Sequence, residues 1–172
     1  MMMDKTKFLV AFILGLVFAL AGENNEGSLS YAGKLGYSSA YDSLFVGLDI
    51  SSPTSSNSSF VISLEYLHWS NKRLGVVEDK YTGVPLLLTF QKSSSKEGTA
   101  YFGIGGGVYY WEKETEVLFG TVKSESKWKA GFHILVGLRI SPKIFSELRW
   151  SSVGKFEDGD SGSFAFILGV RF

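Results

Sequence analysis

The sequence predicts an all-β fold: an eight-stranded antiparallel up-and-down transmembrane β-barrel that follows a cleaved signal peptide. Three observations carry this prediction. The final stretch alternates, with Phe164, Phe166, Leu168, Val170 and Phe172 on one face and Ser163, Ala165, Gly169 and Arg171 on the other, which is a strand with one apolar side. The opening residues have the layout of an export signal. Between the two, no apolar run approaches the ~20 residues that a membrane helix needs, so only a closed barrel could cross a bilayer there.

Taken in order, Lys5 and Lys7 precede an apolar run from Phe8 to Phe18, and Ala19-Leu20-Ala21 stands before Gly22. A basic flank, a core too short to span a bilayer and small residues two apart predict a signal peptide over residues 1–21, cleaved after Ala21. The mature chain is then a single domain, residues 22–172. The absence of cysteine excludes a lipoprotein anchor and disulfides. Without Asp4, Lys5 and Lys7 the mature chain carries 15 basic and 16 acidic residues. Such a balance gives no field to hold nucleic acid, which is not expected as a partner.

Eight strands are read from period-two alternation. Ser28–Tyr37 sets Leu29, Tyr31, Leu35 and Tyr37 against Ser30, Ala32 and Lys34, and Ser43–Ile50 sets Leu44, Val46, Leu48 and Ile50 against Gly47 and Asp49. Phe60–Trp69 places Ile62, Leu64, Tyr66 and His68 opposite Ser63 and Glu65. Gly83–Gln91 carries Val84, Leu86, Leu88 and Phe90 on one side. In Thr99–Trp111, Phe102, Ile104, Val108 and Tyr110 alternate with a face of glycines and aromatics. Trp128–Ile140 opposes seven apolar residues to Lys129, Gly131, His133, Gly137 and Arg139. Ile144–Ser151 sets Ile144, Leu148 and Trp150 against Glu147 and Arg149, and the stretch ending at Phe172 is the eighth strand. Tyr66, Tyr110, Trp128, Trp150 and Phe172 fall near strand ends, where aromatic girdles meet the lipid interfaces.

The connections after strands three, five and seven are long and charged, and those after four and six are short. That asymmetry places the long ones outside the cell and the short ones in the periplasm. Two connections run against it: the first is short, and Ser51–Ser59, interrupted by Pro53, is long for a periplasmic turn.

With these strands in place, the chain resembles the small outer-membrane β-barrel family, the OmpA-like and opacity-type surface proteins. The resemblance rests on Tyr101-Phe-Gly-Ile-Gly-Gly-Gly-Val-Tyr-Tyr-Trp111, Glu147-Leu-Arg-Trp150 and Gly169-Val-Arg-Phe172. It implies a Gram-negative outer-membrane location among lipid and lipopolysaccharide. It also implies insertion by the barrel assembly machinery, which in such families reads the terminal aromatic and here would read Phe164, Phe166, Leu168, Val170 and Phe172. Family members serve as envelope anchors, adhesins, small-molecule conduits and, in some cases, enzymes, so the resemblance does not name one activity.

Two local motifs invite chemistry. Gly103-Ile-Gly-Gly-Gly107 is similar to a phosphate-binding loop, but the third glycine position of that motif falls on Val108 and the segment continues as a strand. Its glycines are better explained as relieving crowding beside Tyr101, Tyr109 and Trp111 in a narrow barrel. His68-Trp69-Ser70-Asn71 resembles the His-x-Ser-Asn motif of lipid A deacylase barrels. His68 and Ser70 share a face, and Glu78 or Asp79 across the hairpin would be the acid that orients the histidine. The motif departs from that family in position, since strands four to eight still follow it, and the corresponding place before strand eight reads Arg149-Trp150-Ser151.

The inward faces collect Lys34, Asp49, Glu65, Lys129, His133, Arg139, Glu147, Arg149 and Arg171. Charges in a narrow lumen are costly unless paired, so a salt-bridge network is expected, with Glu147 and Arg149 pairing to Arg139 and Glu65. His133 has no second histidine on its face, and neither a metal nor a cofactor is expected. The expected function is that of a structural or surface-interaction barrel whose lumen is filled by side chains. Its loops Ser70–Thr82, Glu112–Lys127 and Ser152–Gly162 would contact an extracellular ligand. The alternatives are a small pore for ions or small molecules and a lipid A deacylase-like enzyme.

Overall fold

The structure is a computed structural model that describes residues 29–73, 77–94, 99–117, 120–153 and 162–172. The expected signal peptide and its cleavage site lie outside the described residues. Eight strands form one closed antiparallel barrel in sequence order: β1 (Ser30–Ser38), β2 (Ser43–Ser55), β3 (Ser58–Arg73), β4 (Val77–Ser93), β5 (Ala100–Val117), β6 (Gly120–Arg139), β7 (Ile144–Ser152) and β8 (Gly162–Arg171). The barrel closes by pairing of β1 with β8, from Ala32 opposite Arg171 to Ser38 opposite Ala165. Beyond that ladder the Phe172 N–H donates to the Tyr31 carbonyl at 3.0 Å. Closure leaves no edge in the membrane-crossing part.

The faces follow from alternation. Leu44, Val46, Ile62, Leu88, Phe102, Ile104, Val136 and Leu138 point outward and are exposed, while Trp111, Ile167, Glu65 and His133 point inward and are buried. A water-soluble sheet packing would reverse this arrangement for the apolar set. An unbroken apolar outer belt is stable only against lipid.

Strand lengths separate the part that crosses lipid from the part that does not. A tilted membrane strand needs ~9–11 residues, and β1, β7 and β8 have 9, 9 and 10. β3, β4, β5 and β6 have 16, 17, 18 and 20, so this group continues well past the apolar belt. The charged stretches 70–82 and 112–127, expected as loops, are therefore mostly paired strand. β3 and β4 stay paired to Arg73 opposite Val77, and β5 and β6, past a shift of register between Thr115 and Glu116, to Val117 opposite Gly120. The third expected loop falls largely on residues 154–161, outside the described residues.

The two connections that ran against the expected asymmetry also resolve. β2 continues to Ser55 and β3 starts at Ser58, so the long periplasmic connection is a turn at Ser56-Asn57. Pro53 stands past Ser30↔Ser51, the last pair of the β1–β2 ladder, an edge position where a missing N–H is tolerated. The first connection reverses the chain over 39–42, with Asp42 at a φ of 48°. Asp tolerates this left-handed conformation better than most residues, and its carboxylate accepts a 2.6 Å bond from the Tyr37 hydroxyl.

Candidate functional site

The lumen is built from rows of three residues on adjacent strands whose middle member is glycine. Strands two apart lie ~10 Å from each other, so side chains on them meet only if the strand between leaves room. Lys34, Gly47 and Glu65 form one row across β1, β2 and β3. Over the bare Gly47 backbone, Lys34 Nζ reaches Glu65 Oε1 at 2.9 Å. A Cβ on Gly47 would stand 2.7 Å from Lys34 Cε and 3.1 Å from Glu65 Cγ. Thr89, Gly105 and His133 form a second row, joined by a 2.8 Å bond between Thr89 Oγ1 and His133 Nε2. Tyr101, Gly137 and Glu147 form the third, in which the Tyr101 hydroxyl donates to Glu147 Oε1 at 2.8 Å.

A bidentate ion pair spans the barrel. Arg149 on β7 faces Glu65 on β3 and donates to it twice, Nη1 to Oε1 at 2.5 Å and Nη2 to Oε2 at 2.7 Å. Strands three and seven are diametrically opposed in an eight-stranded barrel, so this bidentate pair crosses the lumen. Lys34 also holds Asp49, Nζ to Oδ1 at 2.7 Å. Two cations and two carboxylates thus neutralise one another away from water, the condition under which buried charges are tolerated.

The other inward charges do not join this cluster. Glu147 does not pair with Arg139 as expected. Gly137 allows the Tyr101 phenol to occupy the carboxylate first, and the Arg139 guanidinium instead lies over the Tyr101 ring, Cζ 5.5 Å from its centroid. Arg171 lies in the same way over Phe145, also at 5.5 Å. Lys129 is half-buried and sits opposite Tyr109, away from the ion cluster. His133 is fully buried against Thr89.

On the side of the long hairpins, rings close the lumen. Trp69 stacks on Tyr81 with centroids 4.9 Å apart, Tyr41 from the first connection packs at 4.6 Å from Trp69 and 5.0 Å from Trp111, and Tyr109 lies 6.1 Å from Trp111. Burial pushes the Tyr41 phenol well above the ordinary tyrosine range, with the neighbouring Tyr109 adding to it. Between these rings and the ion cluster the remaining gap is about 30 Å³, roughly the volume of one water. Tyr41 and the ring contacts of Trp69 escaped the reading of the sequence, and the row glycines were read as inward residues that relieve crowding, without the pairs that meet over them. Their signal was glycine recurring at inward positions of neighbouring strands, which identifies contacts only once register is known.

Beyond the rings the hairpins carry charges on both faces. Inward, Asp79 accepts from Thr115 at 2.7 Å and pairs with Lys113 at 3.4 Å. Outward, Lys80 donates to Glu116 at 2.6 Å, a bond that raises its ammonium above the ordinary lysine range.

His68 and Ser70 are both exposed on the outer face. The expected acid is not beside them. Asp79 is on the opposite, inward face, because it is odd-numbered on a strand whose even residues point out, and Glu78 stands opposite position 72 in the ladder, farther along the hairpin. His68 Nδ1 instead sits 3.3 Å from Thr82 Oγ1. The histidine therefore lacks the carboxylate contact that would make it an oriented base.

On the lipid side, Phe164, Phe166, Leu168, Val170 and Phe172 form an exposed stripe along β8. Tyr110 with Trp128 and Phe132 with Trp150 make outer ring pairs, at 5.1 and 5.4 Å. Among the described residues no cluster of histidine, aspartate or glutamate has the arrangement of a metal site.

No protein-family model matches the sequence, and no curated protein sequence does. Solved structures do match. The crystal structure of Ail, the attachment invasion locus protein of Yersinia pestis, superposes with a TM-score of 0.61 at 11% identity, covering 84% of this chain and 95% of that one. Ail in complex with the heparin analogue sucrose octasulfate gives 0.56 at 10% identity, with 84% and 95% covered. Ail in a phospholipid bilayer nanodisc gives 0.54 at 13% identity, with 84% and all of that chain covered. With an apolar outer belt, a closed eight-strand sheet and this likeness, the chain has the fold of the small eight-stranded barrels of the Gram-negative outer membrane.

Proposed function

We propose that the protein is a surface-interaction barrel that acts by contact through its projecting hairpins and does not transport solutes. One observation carries this reading: the lumen is crossed by the Glu65–Arg149 pair and capped by Trp69, Tyr81 and Trp111. The sheet of β3 to β6, meanwhile, continues past the apolar belt as a charged platform. In this reading residues 1–21 direct export, the mature chain starts at Gly22, and the barrel assembly machinery engages the β8 stripe that ends at Phe172. Outer-membrane lipid and lipopolysaccharide then surround the belt.

The test pairs two measurements on one set of proteins. Wild type is compared with a variant in which residues 70–80 and 113–125 are replaced by tight turns. Adherence of expressing cells to immobilised host-cell surfaces should fall in the variant at equal outer-membrane level. Neither protein should give steady current in a planar bilayer. Large, stable single-channel currents from wild type, with adherence unchanged in the variant, would replace the contact reading with a pore.

A further inference from the structure

At the end of the barrel opposite the rings, the interior opens into a cavity of about 260 Å³ beneath the β2–β3 turn. Serine hydroxyls line its wall; Ser30 bonds Ser51 and Ser55 bonds Ser58, each at 2.5 Å. Its inner end is formed by Asp49, Gln91 and Glu147, and Arg139 and Arg171 stand at its sides.

The charges around this cavity do not balance as those of the ion cluster do. Asp49 is held by Lys34. Glu147 takes its hydrogen bonds from the neutral donors Tyr101 and Gln91, at 2.8 and 3.4 Å. The guanidiniums of Arg139 and Arg171 rest on the Tyr101 and Phe145 rings, on either side of Phe145, and neither pairs with a carboxylate among the described residues. Arg139 Nε is buried and makes no hydrogen bond. Two like charges therefore face one polar space with donor capacity unused, and arginine's planar fork is the side chain best suited to take an oxyanion there. Ring contacts preorganise both forks by fixing their planes.

We propose that this vestibule binds the oxyanion of a small molecule, a carboxylate or phosphate group seated between Arg139 and Arg171. The cavity lies at the end with the short turns, which faces the periplasm, so the ligand arrives from that side. Its volume suits a molecule of few heavy atoms, being below the range of drug-sized pockets. Because the Glu65–Arg149 pair crosses the lumen beyond Asp49, Gln91 and Glu147, the vestibule is a blind site and not the mouth of a passage. Glu147, whose hydrogen bonds come from the neutral donors Tyr101 and Gln91, disfavours an anion that moves deeper and so holds the oxyanion at the arginines. The serine hydroxyls supply further donors around it.

The experiment titrates arginine-labelled, refolded barrel in non-ionic detergent with inorganic phosphate and, separately, with acetate. The Nε–H signals of Arg139 and Arg171 are followed by NMR. Saturable shifts of both signals are expected. Arg139→Gln and Arg171→Gln should each weaken binding about tenfold, the effect of losing one charge-assisted pair. Lys143→Gln, on an exposed turn at the same end, should leave binding unchanged, and Glu147→Gln should tighten it. If Arg139→Gln does not fold, Arg139→Lys keeps the charge, loses the fork and should still bind more weakly. A shift already present in bilayers of anionic lipid without added salt would assign the oxyanion to a lipid headgroup. Shifts that grow linearly without saturating, or that Lys143→Gln reduces as much as Arg139→Gln does, would overturn the site.

Discussion

Tyr101 and Glu147 stand two strands apart and are joined over the bare backbone of Gly137, hydroxyl to carboxylate at 2.8 Å. A Cβ built on Gly137 would stand 2.2 Å from Tyr101 Cζ and 2.6 Å from its hydroxyl oxygen. Gly137→Ala therefore has to push the phenol off Glu147, which leaves a buried carboxylate with only a long bond to Gln91. We expect a loss of about 1–3 kcal/mol in reversible urea unfolding, the usual cost of overpacking. Gly33→Ala is the control, since its nearest neighbour would be the edge of Phe172 at 3.8 Å, and it should be neutral or slightly stabilising. Equal unfolding midpoints for the two variants would refute the role given to the row glycines.

Glu65 and Arg149 give a second prediction, with a sign that separates pairing from packing. Glu65→Leu leaves Arg149 buried without its carboxylate and should cost about 3–5 kcal/mol. The double variant Glu65→Leu with Arg149→Leu removes both charges, while Lys34 keeps Asp49, and should recover most of the loss. A double variant less stable than Glu65→Leu alone would show that the pair contributes more than mutual neutralisation.

His68 and Ser70 should not act on lipid. With Asp79 on the inward face and Thr82 beside the histidine, expression of wild type should leave lipid A acylation in the host unchanged. Ser70→Ala should do the same. Loss of an acyl chain with wild type that Ser70→Ala abolishes, read by mass spectrometry, would install the deacylase reading in place of the contact one.

Phe172 provides a test of assembly. It is 76% exposed at the lipid end of the β8 stripe, while its N–H holds Tyr31 across the seam. Deleting it should lower the amount of heat-modifiable barrel in the outer membrane severalfold, whereas Ser52→Ala, at an exposed turn-proximal position, should not. Unchanged levels after the deletion would remove the β8 terminus from the assembly signal.

How far each part could be read from sequence depended on what its two faces touch. Phe164 to Val170 was legible because lipid meets one face and the lumen the other, so apolar and small or polar residues must alternate. Ser51–Ser59 and Glu112–Lys127 were not, because there both faces meet water and nothing enforces a period of two. They still form ladders, held by backbone pairing and by cross-strand pairs such as Lys80 with Glu116. The inward charges were legible as a set, since parity assigns each to the lumen. Their partners were not, as shown by Glu147, which meets Tyr101 where Arg139 was expected.

The sequence by itself determined that there are eight strands, their order, and which side of each faces lipid, because the bilayer imposes a local rule on every second residue. Only the tertiary structure decided that Glu65 meets Arg149, 84 residues away, that Lys34 and Glu65 meet over Gly47, and that Arg139 and Arg171 are left facing an open vestibule. Those contacts depend on ladder register and barrel closure, which place particular residues at one height across the lumen. No local pattern carries that information, because a side chain's parity says that it points inward but not what it will find there.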